Sequence, residues 1–376
     1  MTMTNNSLDD IVKCNIDISN PASNDATFDS ILLVVKGPEA SGEKTMSRTT
    51  AIAQADELLD YGFTTDDAAY IAATVAFSQN PAPSSIYICI RQEVSAEGEE
   101  TDAEAAVVYE DIRTTLARAK GEVSFYGIHL TEFGDEADVQ GAISWTEANE
   151  KVFAFEYTDI EKCPVKNFSF YRSFGMFSGK ADGYDAGEQP IENEYAALAW
   201  MAKCFGYDPG TETWNMKELA TIVPSALSTD EKKTLEESNI NSFRRYAGSN
   251  ITFGGNMLSG EWIDVIRFRD WLKAEMQINV FNALKTNRKV PFTDGGIGLI
   301  EGQMEATLSK GQTVGGIAPT EYDSDDNEIP GYTVTVPLAS DLTEAERKSR
   351  KLTGCRYTAR LAGAIHAVEI QGNLTF

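Results

Sequence analysis

The sequence predicts a mixed α/β (α+β) chain of two domains with a strand-like arm at each end. Three observations carry that reading. Strand and helix patterns alternate between residues 28 and 157, glycines near 250 open a helix-rich regime, and both ends alternate apolar and polar residues. At 376 residues the chain is long for one small core, so two or three domains are expected. The expected division is an arm at 1–26, an α/β domain at 27–250, and a second domain at 251–376 that ends in the other arm. If the first arm packs with the region after 250, the α/β part is an insertion within the second domain.

The first arm places Val12, Cys14, Ile16 and Ile18 on one face and Lys13, Asn15 and Asp17 on the other. A flexible stretch, Asn20-Pro21-Ala22-Ser23-Asn24-Asp25, follows it. Residues 28–36, centred on Ile31-Leu32-Leu33-Val34-Val35, read as a buried strand. Helical patterns are expected at 49–60 and 65–79, with a second strand at 85–90. Ala106, Val107, Ile112 and Leu116 share one face of a helix over 103–119. A strand at 123–130, a helix at 135–150 and a strand at 152–157 continue the alternation. Residues 163–177 are aromatic-rich and extended, and 192–205 reads as a helix.

Gly254, Gly255 and Gly260 break the chain before a long helix over 261–286, which carries Trp262, Val265, Ile266, Trp271, Leu272, Met276, Phe281 and Leu284. Asp294-Gly295-Gly296 reads as a turn, 297–310 as a shorter helix and 311–319 as a glycine-rich loop. Asp323 to Asn327 has the composition of an acidic hairpin tip, followed by a strand at 331–337 and a charged stretch at 343–351. At the end, His366, Val368, Ile370, Leu374 and Phe376 alternate with polar or small neighbours, which predicts a last strand. Chain ends normally fray unless something holds them. Arms with no obvious partner at home can add to a neighbouring molecule's sheet. This pattern points to a subunit of an array.

Lys+Arg of 32 against Asp+Glu of 58 gives a formal charge of −26, which repels phosphate backbones, so no direct nucleic-acid contact is expected. No stretch has the length of a membrane span, so no membrane insertion is expected. The N-terminus lacks a secretory pattern, so synthesis in the cytoplasm is expected. Cys14, Cys89, Cys163, Cys204 and Cys355 show no metal-ligand spacing. They read as buried reduced thiols, although Cys14 and Cys355 lie in or beside the arms and could form an intermolecular disulfide in an oxidising medium.

Gly37 to Thr45 approaches a phosphate-binding loop, but Glu43 separates Gly42 from Lys44 and brings negative charge where phosphate would sit. Gly296-Ile297-Gly298-Leu299-Ile300-Glu301-Gly302 lacks the spacing and the preceding strand of a dinucleotide site. His129 and His366 read as structural, and Asp323, Asp325, Asp326 and Glu328 lack the spacing of a calcium loop. No catalytic, cofactor-binding or metal residue is assigned, and no cofactor is expected. An enzyme hidden in the α/β region remains the rival reading.

From about 250 onward the chain resembles contractile-tail sheath proteins of bacteriophages and phage-tail-like particles. The residues that carry this are Gly260-Glu261-Trp262-Ile263-Asp264, Arg269-Asp270-Trp271-Leu272, Lys289 to Ile297, Gly315-Gly316-Ile317-Ala318-Pro319 and Ala364 to Gly372, with Asn239 to Phe243 and Gly254-Gly255 upstream. The resemblance implies a non-enzymatic virion protein, assembled in the host cytoplasm. Its copies would stack as hexameric rings into a helical tube around an inner tail tube, with baseplate and tail terminator proteins as further partners. The arms would join strands in neighbouring copies, an inner assembly domain would carry an inserted outer α/β domain, and contraction would drive the tube through a cell envelope. Candidate tube contacts are the helix at 261–286, the one at 297–310, or the charged stretch with Glu344, Arg347, Lys348 and Lys351, which reads equally as a solvated face. A baseplate or other tail component is the alternative structural role.

Overall fold

The structure is a computed structural model and describes residues 27–94, 108–132, 135–165, 167–185 and 188–375. These fall into two compact units, one within 27–274 and one within 275–375. The first contains, in chain order, β1 (Ile31–Val35), β2 (Thr49–Ile52), α1 (Glu57–Asp60), α2 (Ala68–Phe77), β3 (Ile86–Ile90), β4 (Glu93–Val94), β5 (Val108–Tyr109), α3 (Ile112–Glu122), β6 (Gly127–Leu130), α4 (Glu136–Asn149) and β7 (Val152–Tyr157). It continues through β8 (Ser173–Phe177), α5 (Ala196–Phe205), α6 (Thr229–Glu237), β9 (Asn241–Tyr246), β10 (Ser249–Phe253) and the start of α7 (Ile263–Thr286).

Eight strands form one sheet in the order β10-β9-β8-β7-β6-β1-β3-β2. Every neighbouring pair from β3 to β9 is parallel, and β2 and β10 close the two edges antiparallel. Strands covered on both faces read as continuous apolar runs. β1, all five residues of it buried, shows why. Ile31, Leu33 and Val35 face a layer containing the buried residues of α2 and α5, while Leu32 and Val34 face one containing those of α3 and α4. The helix starts follow from short polar caps: Asp111 accepts from the Arg113 amide, Asp135 from the Asp138 amide, and Ser228 forms a capping box with Glu231.

Two expectations fail in this unit. Residues 49–60 are not one helix, because Thr49–Ile52 pairs with β3 (Thr49 opposite Cys89) and only Glu57–Asp60 is helical. A β-branched pair at a sheet edge gains more from the ladder than from a helix turn. The described helix of the 103–119 region starts at Ile112, where Asp111 caps it. The unit also reaches past 250: β10 is its edge strand, and Leu258, Ile263 and Ile266 enter its cores.

The first turns of α7 bury charge. Arg267 donates to Glu212 (2.5 Å) and to the carbonyl oxygens of Phe28 (2.9 Å) and Tyr207 (2.7 Å). Asp270 accepts two bonds from Arg172 (2.7 and 3.1 Å), one from the Tyr126 hydroxyl (2.8 Å) and two from Arg269 (3.1 and 2.8 Å). Burial raises the Asp270 carboxyl, but the Arg172 and Arg269 guanidinium groups outweigh that and hold it below the usual range. Lys273 reaches Glu150 at 3.3 Å.

The second unit holds the rest of α7, α8 (Asp294–Thr313), β11 (Glu321–Tyr322), β12 (Glu328–Ile329), β13 (Tyr332–Thr335), α9 (Glu344–Ser349) and β14 (Arg356–Ala359). Asn279 donates to Thr307 at 2.9 Å and Lys310 pairs with Glu275 at 2.8 Å, joining α7 to α8. Asp294-Gly295-Gly296 is not a turn but the first turn of α8, because Thr293 accepts from the Gly296 amide as N-cap. A Cβ on Gly296 would lie 2.0 Å from the Pro291 carbonyl oxygen, so only glycine permits that start.

Candidate assembly elements

β13 and β14 form a two-stranded antiparallel sheet in which Tyr332 opposes Ala359 and Thr335 opposes Arg356. Thr333 and Thr358 share a hydroxyl hydrogen bond of 2.6 Å across it. Among the described residues no third strand joins either side. A two-stranded sheet is marginal by itself, and its open backbone groups are ready to pair with added strands. A loop fixes one end. Ala318 donates to the Arg360 carbonyl (2.7 Å), Arg360 to that of Gly331 (2.8 Å) and Ala362 to that of Gly316 (3.1 Å). Gly331 lies so close that a Cβ would sit 2.0 Å from the Ala318 oxygen.

Among the described residues no strand or helix forms after Leu361, so the expected terminal strand has no ladder there. The apolar side chains Ile365, Val368, Ile370 and Leu374 are 84, 73, 86 and 99% exposed. A strand needs a ladder partner, and no described residue supplies one. Val12, Cys14, Ile16, Ile18 and Phe376 lie outside the described residues. β14 was missed by sequence reading because its four residues follow a charged run. Its one signal is the Tyr357-Thr358 pair of good strand formers.

Glu344, Arg347, Lys348 and Lys351 come together on and just after α9, which Thr343 and Glu346 cap reciprocally. The hydrogen bonds from Thr343 hold the Glu346 carboxyl below its usual range. Lys348 pairs with Glu344 at 2.7 Å, and Arg347 donates to the carbonyl oxygens of Phe292 (3.1 Å) and Ala339. Cys355 is half-buried, and burial pushes its thiol up, with Glu301 adding to the effect.

The residues weighed for other chemistry serve the fold. Lys44 pairs with Asp60 at 2.6 Å, and a Cβ on Gly42 would strike the Asp60–Gly62 backbone, so the near phosphate loop is a packed turn that leads into β2. His129 Nε2 lies 2.7 Å from Glu156, whose other oxygen accepts the Ala197 and Leu198 amides at the start of α5. Asp323 accepts the Asp325 and Asn327 amides and closes the β11–β12 hairpin. Among the described residues no acidic, His or Cys group forms a metal cluster, and no helix is long and apolar enough to cross a membrane.

Residues 263–374 match the family profile described as E217 tail sheath protein gp31-like, C-terminal domain. This segment is similar to a tail-sheath C-terminal domain. Solved structures extend the fold likeness over the whole chain. The contracted helical sheath of the anti-feeding prophage aligns with a TM-score of 0.64 at 12% identity, over 96% of this chain and 98% of that one. The contracted sheath complex of the extracellular contractile injection system PVC aligns with a TM-score of 0.61 at 12% identity, over 96% of each chain. A chain of the anti-feeding prophage baseplate structure aligns with a TM-score of 0.63 at 14% identity, over 97% and 98%. The mixed α/β architecture is thus the sheath-protein fold. No curated protein matches the sequence.

Proposed function

We propose that this chain is the sheath subunit of a contractile tail or tail-like particle. It polymerises into a helical tube around an inner tail tube and shortens to drive that tube through a cell envelope. The observation that carries the reading is the pairing of an open two-stranded sheet, β13–β14, with an exposed apolar tail, both inside the matched sheath domain. The tail of one copy, Val368 to Phe376, lies as a strand against the sheet of another. The segment with Val12, Cys14, Ile16 and Ile18 does the same on the other edge.

Backbone ladders of this kind keep copies tethered while bodies rotate, since short linkers absorb the change in backbone angles. Contacts that repeat without closing propagate as a helix. Glu344, Arg347, Lys348 and Lys351 face the inner tube, where exposed charge gives a contact that releases readily. Baseplate and terminator proteins bound the tube. A Cys14–Cys355 disulfide between copies is a further consequence of arms meeting, and the raised Cys355 thiol makes it slow to form.

Full-length protein and a variant lacking 368–376 are compared by negative-stain microscopy. Long hollow tubes from the full chain, and none from the folded truncation, support the proposal. Tubes from both refute the arm mechanism, and closed rings from the full chain favour the baseplate role.

A further inference from the structure

The second unit carries two exposed, oppositely charged features with no ion pair between them. The first is the β11–β12 hairpin. Residues 319–330 are exposed throughout, and Glu321, Asp323, Asp325, Asp326 and Glu328 crowd into it. Its register puts Tyr322 opposite Glu328 and Glu321 opposite Ile329. Residues directly opposite share a face. The Glu321 face is already served at home, by Arg360 at 2.6 Å. The Tyr322–Glu328 face and the hairpin tip are not: Tyr322 is 67% exposed, and among the described residues no ion pair reaches Glu328, Asp325 or Asp326.

The second feature is the end of α7 and the segment after it. Lys285, Arg288 and Lys289 are exposed within five residues, beside exposed Leu284, and among the described residues no carboxylate forms an ion pair with any of them. The cations of α9 differ, because Lys348 already pairs with Glu344 and Arg347 is held by carbonyl oxygens.

We propose that the Tyr322–Glu328 face of the hairpin on one copy docks on the Leu284–Lys289 surface of a second copy. Asp325, Asp326 and Glu328 meet Lys285, Arg288 and Lys289, and the Tyr322 ring covers Leu284. The contact joins two different patches and is therefore head-to-tail, the type that propagates. Being exposed and ionic, it weakens with salt and can break and re-form as copies slide. It rests on the sheath reading for its setting but not for its test.

The test is sedimentation velocity of full-length protein at low ionic strength. Asp325→Lys with Asp326→Lys, and separately Arg288→Glu with Lys289→Glu, each weaken self-association about tenfold. The four changes together restore it to within about threefold of wild type. A hairpin double variant that associates like wild type overturns the docking, as does a combined variant no better than its parents. Whether the associated species are tubes is read separately by microscopy, so failure of the sheath reading and failure of this contact are distinguishable.

Discussion

Replacing Asp270 with Asn removes one charge from a site that has none to spare. Asp270 and Arg172 are each nearly fully buried, and Tyr126 beside them is also buried. The carboxylate accepts from both Arg172 nitrogens, from Arg269 and from the Tyr126 hydroxyl. An amide keeps the shape, but its nitrogen donates where donors already point, and two guanidinium groups lose their counter-charge. Breaking a buried pair from one side costs about 3–5 kcal/mol. The exposed Asp159–Lys162 pair is the control, since Asp159→Asn there loses only a solvent-screened contact and moves the unfolding midpoint far less. Urea unfolding followed by far-UV circular dichroism measures both. The Asp270 carboxyl titrates below its unfolded value, so its contribution is complete above the ordinary aspartate range and is lost as pH falls beneath it. Asp270→Asn therefore flattens the acid limb of the stability curve. A loss below about 1 kcal/mol at neutral pH would show that this buried cluster does not stabilise the first turns of α7 within the α/β unit.

Burial lowers the Lys151 amine to about 8, against 10.5 in the unfolded chain. The unfolded state then binds more protons between those values, so stability rises with pH across that window, by about 3 kcal/mol. Lys151→Met removes that contribution, so urea titrations from pH 7 to 10.5 would show the wild type gaining about 3 kcal/mol relative to the variant across the window. Gly331→Ala forces the start of β13 away from the Ala318 oxygen, costs about 1–3 kcal/mol and lowers tube yield, read by unfolding and by pelleting. Removing 368–376 leaves monomer stability within about 0.5 kcal/mol of wild type, because the described residues there are exposed; a larger loss would show that the tail packs at home.

How much was legible follows from what each residue needs. Central strands such as β1 announce themselves, because burial on both faces demands an unbroken apolar run. The long helices α7 and α8 were readable from periodicity, though the glycines that open α8 looked like a turn until Thr293 proved to be a cap. β2 was read as helix because four residues at an edge carry little pattern. Arg267, Asp270 and Lys273 look like a solvent face in sequence and are buried pairs in space. No periodicity distinguishes the two, since their partners Glu212, Arg172 and Glu150 are far away along the chain. The alternation at 365–374 was legible, but a pattern of side chains does not say whose backbone completes the ladder.

A density map of the assembled particle at side-chain resolution tests the central claim most directly. The account predicts a helical tube in which residues 368–376 of each copy lie as a strand beside β13–β14 of another copy. Density tracing every tail back onto its own subunit, or full-length protein that remains isolated globules, would contradict it.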